Sequence, residues 1–93
     1  MERKKLNAEE ILKHLAGLNY WKVIDGKLLK KFKFANFAES LAFVNKIGEI
    51  AEVHDHHPDI TFGWGYTDVY LTTHDTGGIT IKDIAVAKEI DAL

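Results

Sequence analysis

Tyr20-Trp21-Lys22-Val23-Ile24-Asp25-Gly26-Lys27-Leu28-Leu29-Lys30-Lys31-Phe32-Lys33-Phe34 carries the strongest structural signal in the chain. Aromatic and β-branched residues stand on both sides of Asp25-Gly26, a pair that accepts the positive φ angles of a tight two-residue turn. The pattern predicts a β-hairpin. Leu28, Phe32 and Phe34 share one face at a period of two, which gives the second strand an inner side.

Upstream, Asn7-Ala8-Glu9-Glu10 has the spacing of a capping box, with the acceptor side chain at Asn7 and a carboxylate three residues on. Ile11, Leu12, Leu15 and Leu18 follow on one helical face, and Gly17 is a stop. Downstream, Asn36-Phe37-Ala38-Glu39 repeats the capping pattern. Phe37, Leu41, Val44, Ile47 and Ala51 recur at helical spacing, so a second helix is predicted to run to about His54, ahead of Pro58. Asp59 to Trp64 and Thr67 to His74 are two further strand-like runs, with Gly63 and Gly65 flanking the turn between them. Thr80-Ile81-Lys82-Asp83 is a third capping box, and Ile84, Ala87 and Ile90 line a last helix. The order is α-β-β-α-β-β-α over a single domain spanning 1–93. It predicts an α+β fold: a four-stranded, mainly antiparallel sheet with helices packed on one face.

The chain has 93 residues and no cysteine, so disulfides and thiolate metal sites are excluded. A chain this short buries only about 60–65% of its unfolded surface, and with no disulfide to compensate, a homo-oligomer is expected. The lack of cysteine also fits a reducing cytoplasm. The net charge is −2, which provides no global field for nucleic acid. The lysines interleaved with Phe32 and Phe34 are read as a solvated strand face, so no nucleic-acid partner is expected. The apolar runs are only a few residues long, which excludes a membrane partner, and the N-terminal stretch reads as no targeting segment.

Histidine is the unusual feature. Four of the five fall at His54, His56, His57 and His74. The first three stand where a helix gives way to a strand, and His74 stands at the end of the next strand but one. Pairing of the last two strands as a hairpin brings the start of one beside the end of the other, so His56 and His57 approach His74. Junctions held by rigid elements commonly carry function. On spacing alone, two plainer alternatives stand beside this one: histidines that merely end a helix, and a zinc site built from His54, His56, His57 and His74. The adjacent pair His56-His57 is poorly arranged for joint coordination. Glu52, one helical turn before His56, is placed to orient an imidazole or is simply an exposed carboxylate. Asp83 reads first as a cap, and Trp21 and Trp64 read first as core aromatics.

The run from Glu52 to Asp83 resembles the pterin-4a-carbinolamine dehydratase family. The residues that carry the resemblance are Glu52, His56-His57-Pro58, Trp64, Thr73-His74 and Asp83, with Trp21 at the head of the first hairpin. Ile60 and Asp68 depart from animal members, which have a tryptophan and a histidine there. The resemblance implies a dehydratase that converts 4a-hydroxytetrahydrobiopterin to quinonoid dihydrobiopterin and supports tetrahydrobiopterin recycling. It implies His56 and His74 as the acid/base pair and His57 in binding and orientation. Glu52, Asp83, Pro58 and Trp21 are implied to bind or orient the substrate. No cofactor and no metal is expected. The implied partners are a small-molecule pterin and further copies of the chain, as homodimer or homotetramer. A transcription-factor partner is implied only by analogy with some animal members, and would make the chain a binding module as well.

Overall fold

A computed structural model describes residues 4–93. The elements are α1 (Ala8–Leu15), β1 (Lys22–Ile24), β2 (Lys27–Lys33), α2 (Phe37–His54), β3 (Asp59–Gly63), β4 (Tyr66–Leu71), a 3₁₀ turn at His74–Thr76, and α3 (Ile81–Asp91). The four strands form one antiparallel sheet in the order β1-β2-β4-β3. This is the expected α+β fold.

The hairpin forms where the sequence places it. Asp25 and Gly26 have φ of 50° and 74°, both positive, as a turn matched to strand twist requires. The second hairpin turns at Trp64-Gly65, where Gly65 has φ of 78° and a Cβ would sit 3.0 Å from the Phe34 carbonyl. The central strand β4 alternates Thr67, Val69 and Leu71, all buried, with Tyr66, Asp68 and Tyr70. Register carries the inner face across the sheet: Leu28 opposes Leu71, and Phe32 and Phe62 both oppose Thr67. Ile47 of α2 and Ile84, Ala87 and Ile90 of α3 close over that face. Burial of such aliphatic side chains, at about 1.5–3 kcal/mol each, is the main stabilising term.

The helix caps explain where the helices start. Asn7 and Glu10 complete the box on α1, and Thr80 and Asp83 complete the one on α3. On α2, the Asn36 side chain accepts from the Glu39 N–H at 2.9 Å, whereas Glu39 Oε1 accepts from the Ala35 N–H at 2.9 Å, one residue before the cap. The far end of α2 closes in a Schellman turn: the Asp55 N–H reaches the Glu52 carbonyl at 3.3 Å and the His56 N–H reaches the Ala51 carbonyl at 3.1 Å. Asp55 takes the left-handed position, with φ of 48°. Among the described residues no helix is long and apolar enough to cross a membrane.

One expectation shifts. β4 ends at Leu71, not at His74. Beyond it, Thr73 makes an isolated bridge to Gly78, and His74 opens the 3₁₀ turn. In addition, Leu29 is buried on the sheet face opposite the helices, at 5% exposure, beside the open space bounded by Tyr20, Lys22, Ile24 and Lys31.

Candidate active site

The Schellman turn is what places the first two histidines. It reverses the chain at Asp55, so that His56 turns inward and His57 outward before Pro58 starts the approach to β3. Asp59 then pairs with Tyr70. That register sets the segment before β3 beside the segment after β4. The result is an open cavity of about 330 Å³ lined by Asp55, His56, His57, Thr72, Thr73, His74 and Asp75.

Each imidazole has a different setting. His56 is buried, and its Nε2 lies 2.5 Å from Asp83 Oδ1. His57 is exposed and its Nε2 meets Glu52 Oε2. His74 is exposed, and among the described residues its ring has no hydrogen-bond partner. Asp83 is fully buried, and its second oxygen accepts from the Thr80 N–H at 2.9 Å and from the Thr73 hydroxyl at 2.8 Å. The group therefore caps α3 and contacts an imidazole at the same time.

The structure thus gathers His56, His57 and His74 around one cavity, with Glu52 and Asp83 each holding one ring. Glu52 pairs with His57 and not with His56, one turn on from it. Pro58 is half-buried next to the cavity. Trp21 is not among the lining residues. It is buried in the core, and its indole N–H donates to Asp91 Oδ1 at 2.9 Å. Trp64 is exposed in the β3–β4 turn, at the opposite end of the strands. His54 pairs with Glu89, which ties the end of α2 to α3. Among the described residues no three His, Asp or Glu side chains converge as a metal-binding set. Sequence reasoning passed over Asp55, Thr72, Thr73 and Asp75 as lining residues. Thr73 carried a signal, since it stands beside His74 in the quoted motif.

The fold and the cleft describe a small αββαββα protein with three imidazoles at one inter-strand cleft, one of them backed by a buried carboxylate. The chain belongs to the pterin 4 alpha carbinolamine dehydratase family, whose profile matches residues 4–93. A protein of Metallosphaera sedula, provisionally named pterin-4-alpha-carbinolamine dehydratase, is 42% identical over 89 residues, covering 96% of this chain and 93% of its own. A protein of Prochlorococcus marinus with the same provisional name is 44% identical over 93 residues, covering 100% and 97%. Among solved structures, a transcriptional coactivator/pterin dehydratase from Brucella melitensis superposes with a TM-score of 0.90 at 31% identity, covering 96% of this chain and 97% of its own. A pterin dehydratase-like protein described as a RuBisCO assembly factor in the alpha-carboxysome gives a TM-score of 0.62 at 26% identity, covering 77% and 83%.

Proposed function

We propose that the chain is a hydro-lyase that removes water from 4a-hydroxytetrahydrobiopterin to give quinonoid dihydrobiopterin, recycling the pterin in the cytoplasm. The observation that carries this reading is the cavity lined by His56, His57 and His74 in a chain of this family. In the reaction, the C4a–O bond breaks as the hydroxyl takes up a proton and leaves as water. The N5 lone pair forms the C4a=N5 double bond, and the N5 proton passes to a base. One acid and one base suffice, and no oxidation state changes. Imidazole, with an ordinary pKa near 6.5, exists in both forms near neutral pH. A positioned proton transfer is worth roughly 10²–10⁴-fold. His56 and His74 act as the acid/base pair, while His57, held by Glu52, binds and orients the ring.

The test is turnover of the carbinolamine by the wild-type chain and by His56→Ala, His57→Ala and His74→Ala, each before and after dialysis against a strong chelator. Loss of turnover in the His56 and His74 variants, with no effect of the chelator, is the expected result. A chain that turns over only after zinc is restored would replace this mechanism with a metal-assisted one.

A second reading is a binding role alongside turnover. It is favoured by the two similar solved structures, one a transcriptional coactivator/pterin dehydratase and the other a RuBisCO assembly factor. Histidine variants that abolish turnover and leave partner binding intact would separate the two roles.

A further inference from the structure

At the histidine cavity lies a pair of buried hydroxyls, one of them on the lining residue Thr73, that the proposed mechanism does not use. Thr73 and Thr80 are 1% and 0% exposed, and their Oγ1 atoms are 2.8 Å apart. Thr73 Oγ1 donates to Asp83 Oδ2 at 2.8 Å. A threonine hydroxyl has one proton. With that proton committed to Asp83, Thr73 can only accept from Thr80, so the Thr80 hydroxyl donates. Thr80 Oγ1 in turn accepts from the Lys82 N–H at 3.2 Å. The hydrogen bonds therefore run in one direction, from the first turn of α3 through Thr80 and Thr73 into the carboxylate.

The consequence for Asp83 is stereochemical. Its Oδ2 accepts from both the Thr73 hydroxyl and the Thr80 N–H, which fills that oxygen. Oδ1 is left to His56 Nε2 at 2.5 Å. A carboxylate only accepts, so Nε2 carries the proton. The other ring nitrogen, Nδ1, has no partner among the described residues. The only sealed side-chain polar atom without a partner among them is Thr67 Oγ1, so Nδ1 keeps access to solvent. His56 itself lines the cavity.

We propose that the Thr80–Thr73 hydroxyl chain is a positioning device: it aims Asp83 so that His56 is held with its proton on Nε2 and exchanges protons with the substrate through Nδ1. Thr73 and Thr80 touch no substrate in this scheme and act through Asp83. Chains of hydrogen bonds polarise one another, so a directed chain ending on a carboxylate holds its geometry better than one bond would. The inference rests on the dehydratase reading for its consequence in turnover, but its ring-tautomer statement stands without it.

The experiment is ¹⁵N NMR of the histidine rings, with His56 assigned by comparison with His56→Gln, alongside steady-state kinetics. The wild-type chain is expected to show a protonated Nε2 and an unprotonated, pyridine-like Nδ1 in the neutral His56 ring. Thr73→Val keeps the shape and removes the hydroxyl. It should lower kcat by roughly tenfold or more, part of the roughly 10²–10⁴-fold a positioned proton transfer contributes, with little change in KM and an altered His56 ring pattern. Thr73→Ser should restore both. A wild-type ring with its proton on Nδ1 overturns the proposal whatever the variants do. So does a folded Thr73→Val that keeps wild-type turnover and ring pattern. A wild-type chain inactive on the carbinolamine but showing the Nε2–H ring would overturn the dehydratase reading and support the hydroxyl chain.

Discussion

His56 and His57 are neighbours in the chain and opposites in setting: the side chain of the first is 7% exposed against a fully buried Asp83, and that of the second is 53% exposed against Glu52, itself 77% exposed. The left-handed residue Asp55 is the cause, because it turns one peptide plane and sends successive side chains to opposite sides of the α2 terminus.

The two histidines should therefore respond differently to truncation. His56→Ala strands a buried carboxylate oxygen and should cost about 1–3 kcal/mol of stability. His57→Ala removes a solvated imidazole–carboxylate contact and should stay within about 0.5 kcal/mol. Thermal melts of both variants decide it. Turnover should fall by roughly 10²-fold or more in His56→Ala and in His74→Ala. A His56→Ala chain as stable and active as wild type would remove that residue from both roles.

Thr67 offers a gain. It is fully buried between Phe32 and Phe62, and among the described residues its hydroxyl has no partner. A buried hydroxyl without a bond costs free energy that a methyl group of the same shape does not. Thr67→Val should stabilise the chain by about 1 kcal/mol and raise Tm by roughly 4–8 °C. A lower Tm would mean that the hydroxyl has a hidden partner.

Asp91 is a hub. It accepts from the Asn19 N–H at 2.9 Å, the Trp21 indole at 2.9 Å and the Lys30 ammonium at 2.7 Å, and so ties the last turn of α3 to the first hairpin. The Lys30 and Asp91 side chains are only 12% and 8% exposed. Asp91→Ala leaves three donors short and should cost about 1–3 kcal/mol. Denaturant titration followed by tryptophan fluorescence measures it. Turnover per folded molecule should be unchanged, since this cluster lies outside the cavity. A fall in turnover without a fall in stability would give Trp21 the substrate role that the family resemblance implies.

Helix α2 exposes Phe37, Leu41 and Val53 at 47%, 41% and 82%. Large apolar side chains left in water on a chain without disulfides favour self-association. Light scattering should give a multiple of 10.5 kDa. Leu41→Glu should shift the distribution towards smaller species. A wild-type mass of one chain at micromolar concentration would sink the expectation.

Local chemistry made much of the fold legible. Asp25-Gly26 announces its turn, and Asn7, Asn36 and Thr80 announce three helix starts, because turns and caps are decided by residues within a few positions of one another. The convergence of His56 and His57 with His74 follows from one hairpin pairing. What stayed hidden depends on directions that spacing does not encode. Glu52 stands one helical turn before His56, yet the Schellman turn rotates His56 away and presents His57 to it. The strand pattern of Thr67 to His74 continues through Thr72 and Thr73, but the bridge from Thr73 to Gly78 ends the ladder early. The Asp91 hub joins residues some seventy positions apart, and no local pattern marks it.

Helix α1 has no buried residue of its own. It rests on the core through the partly buried Ile11 and Leu15, with Leu6 before it bonded to the Ile79 carbonyl at 2.8 Å. Opening of such a unit costs a fraction of global unfolding. The chain therefore has two tiers of cohesion. The N-terminal helix can lift and reseat many times while the hairpin β3–β4, the turn at Asp55 and α3 keep the imidazoles in place, so backbone amides of Ala8–Leu15 should trade hydrogen for deuterium well before those of Val69 and Leu71.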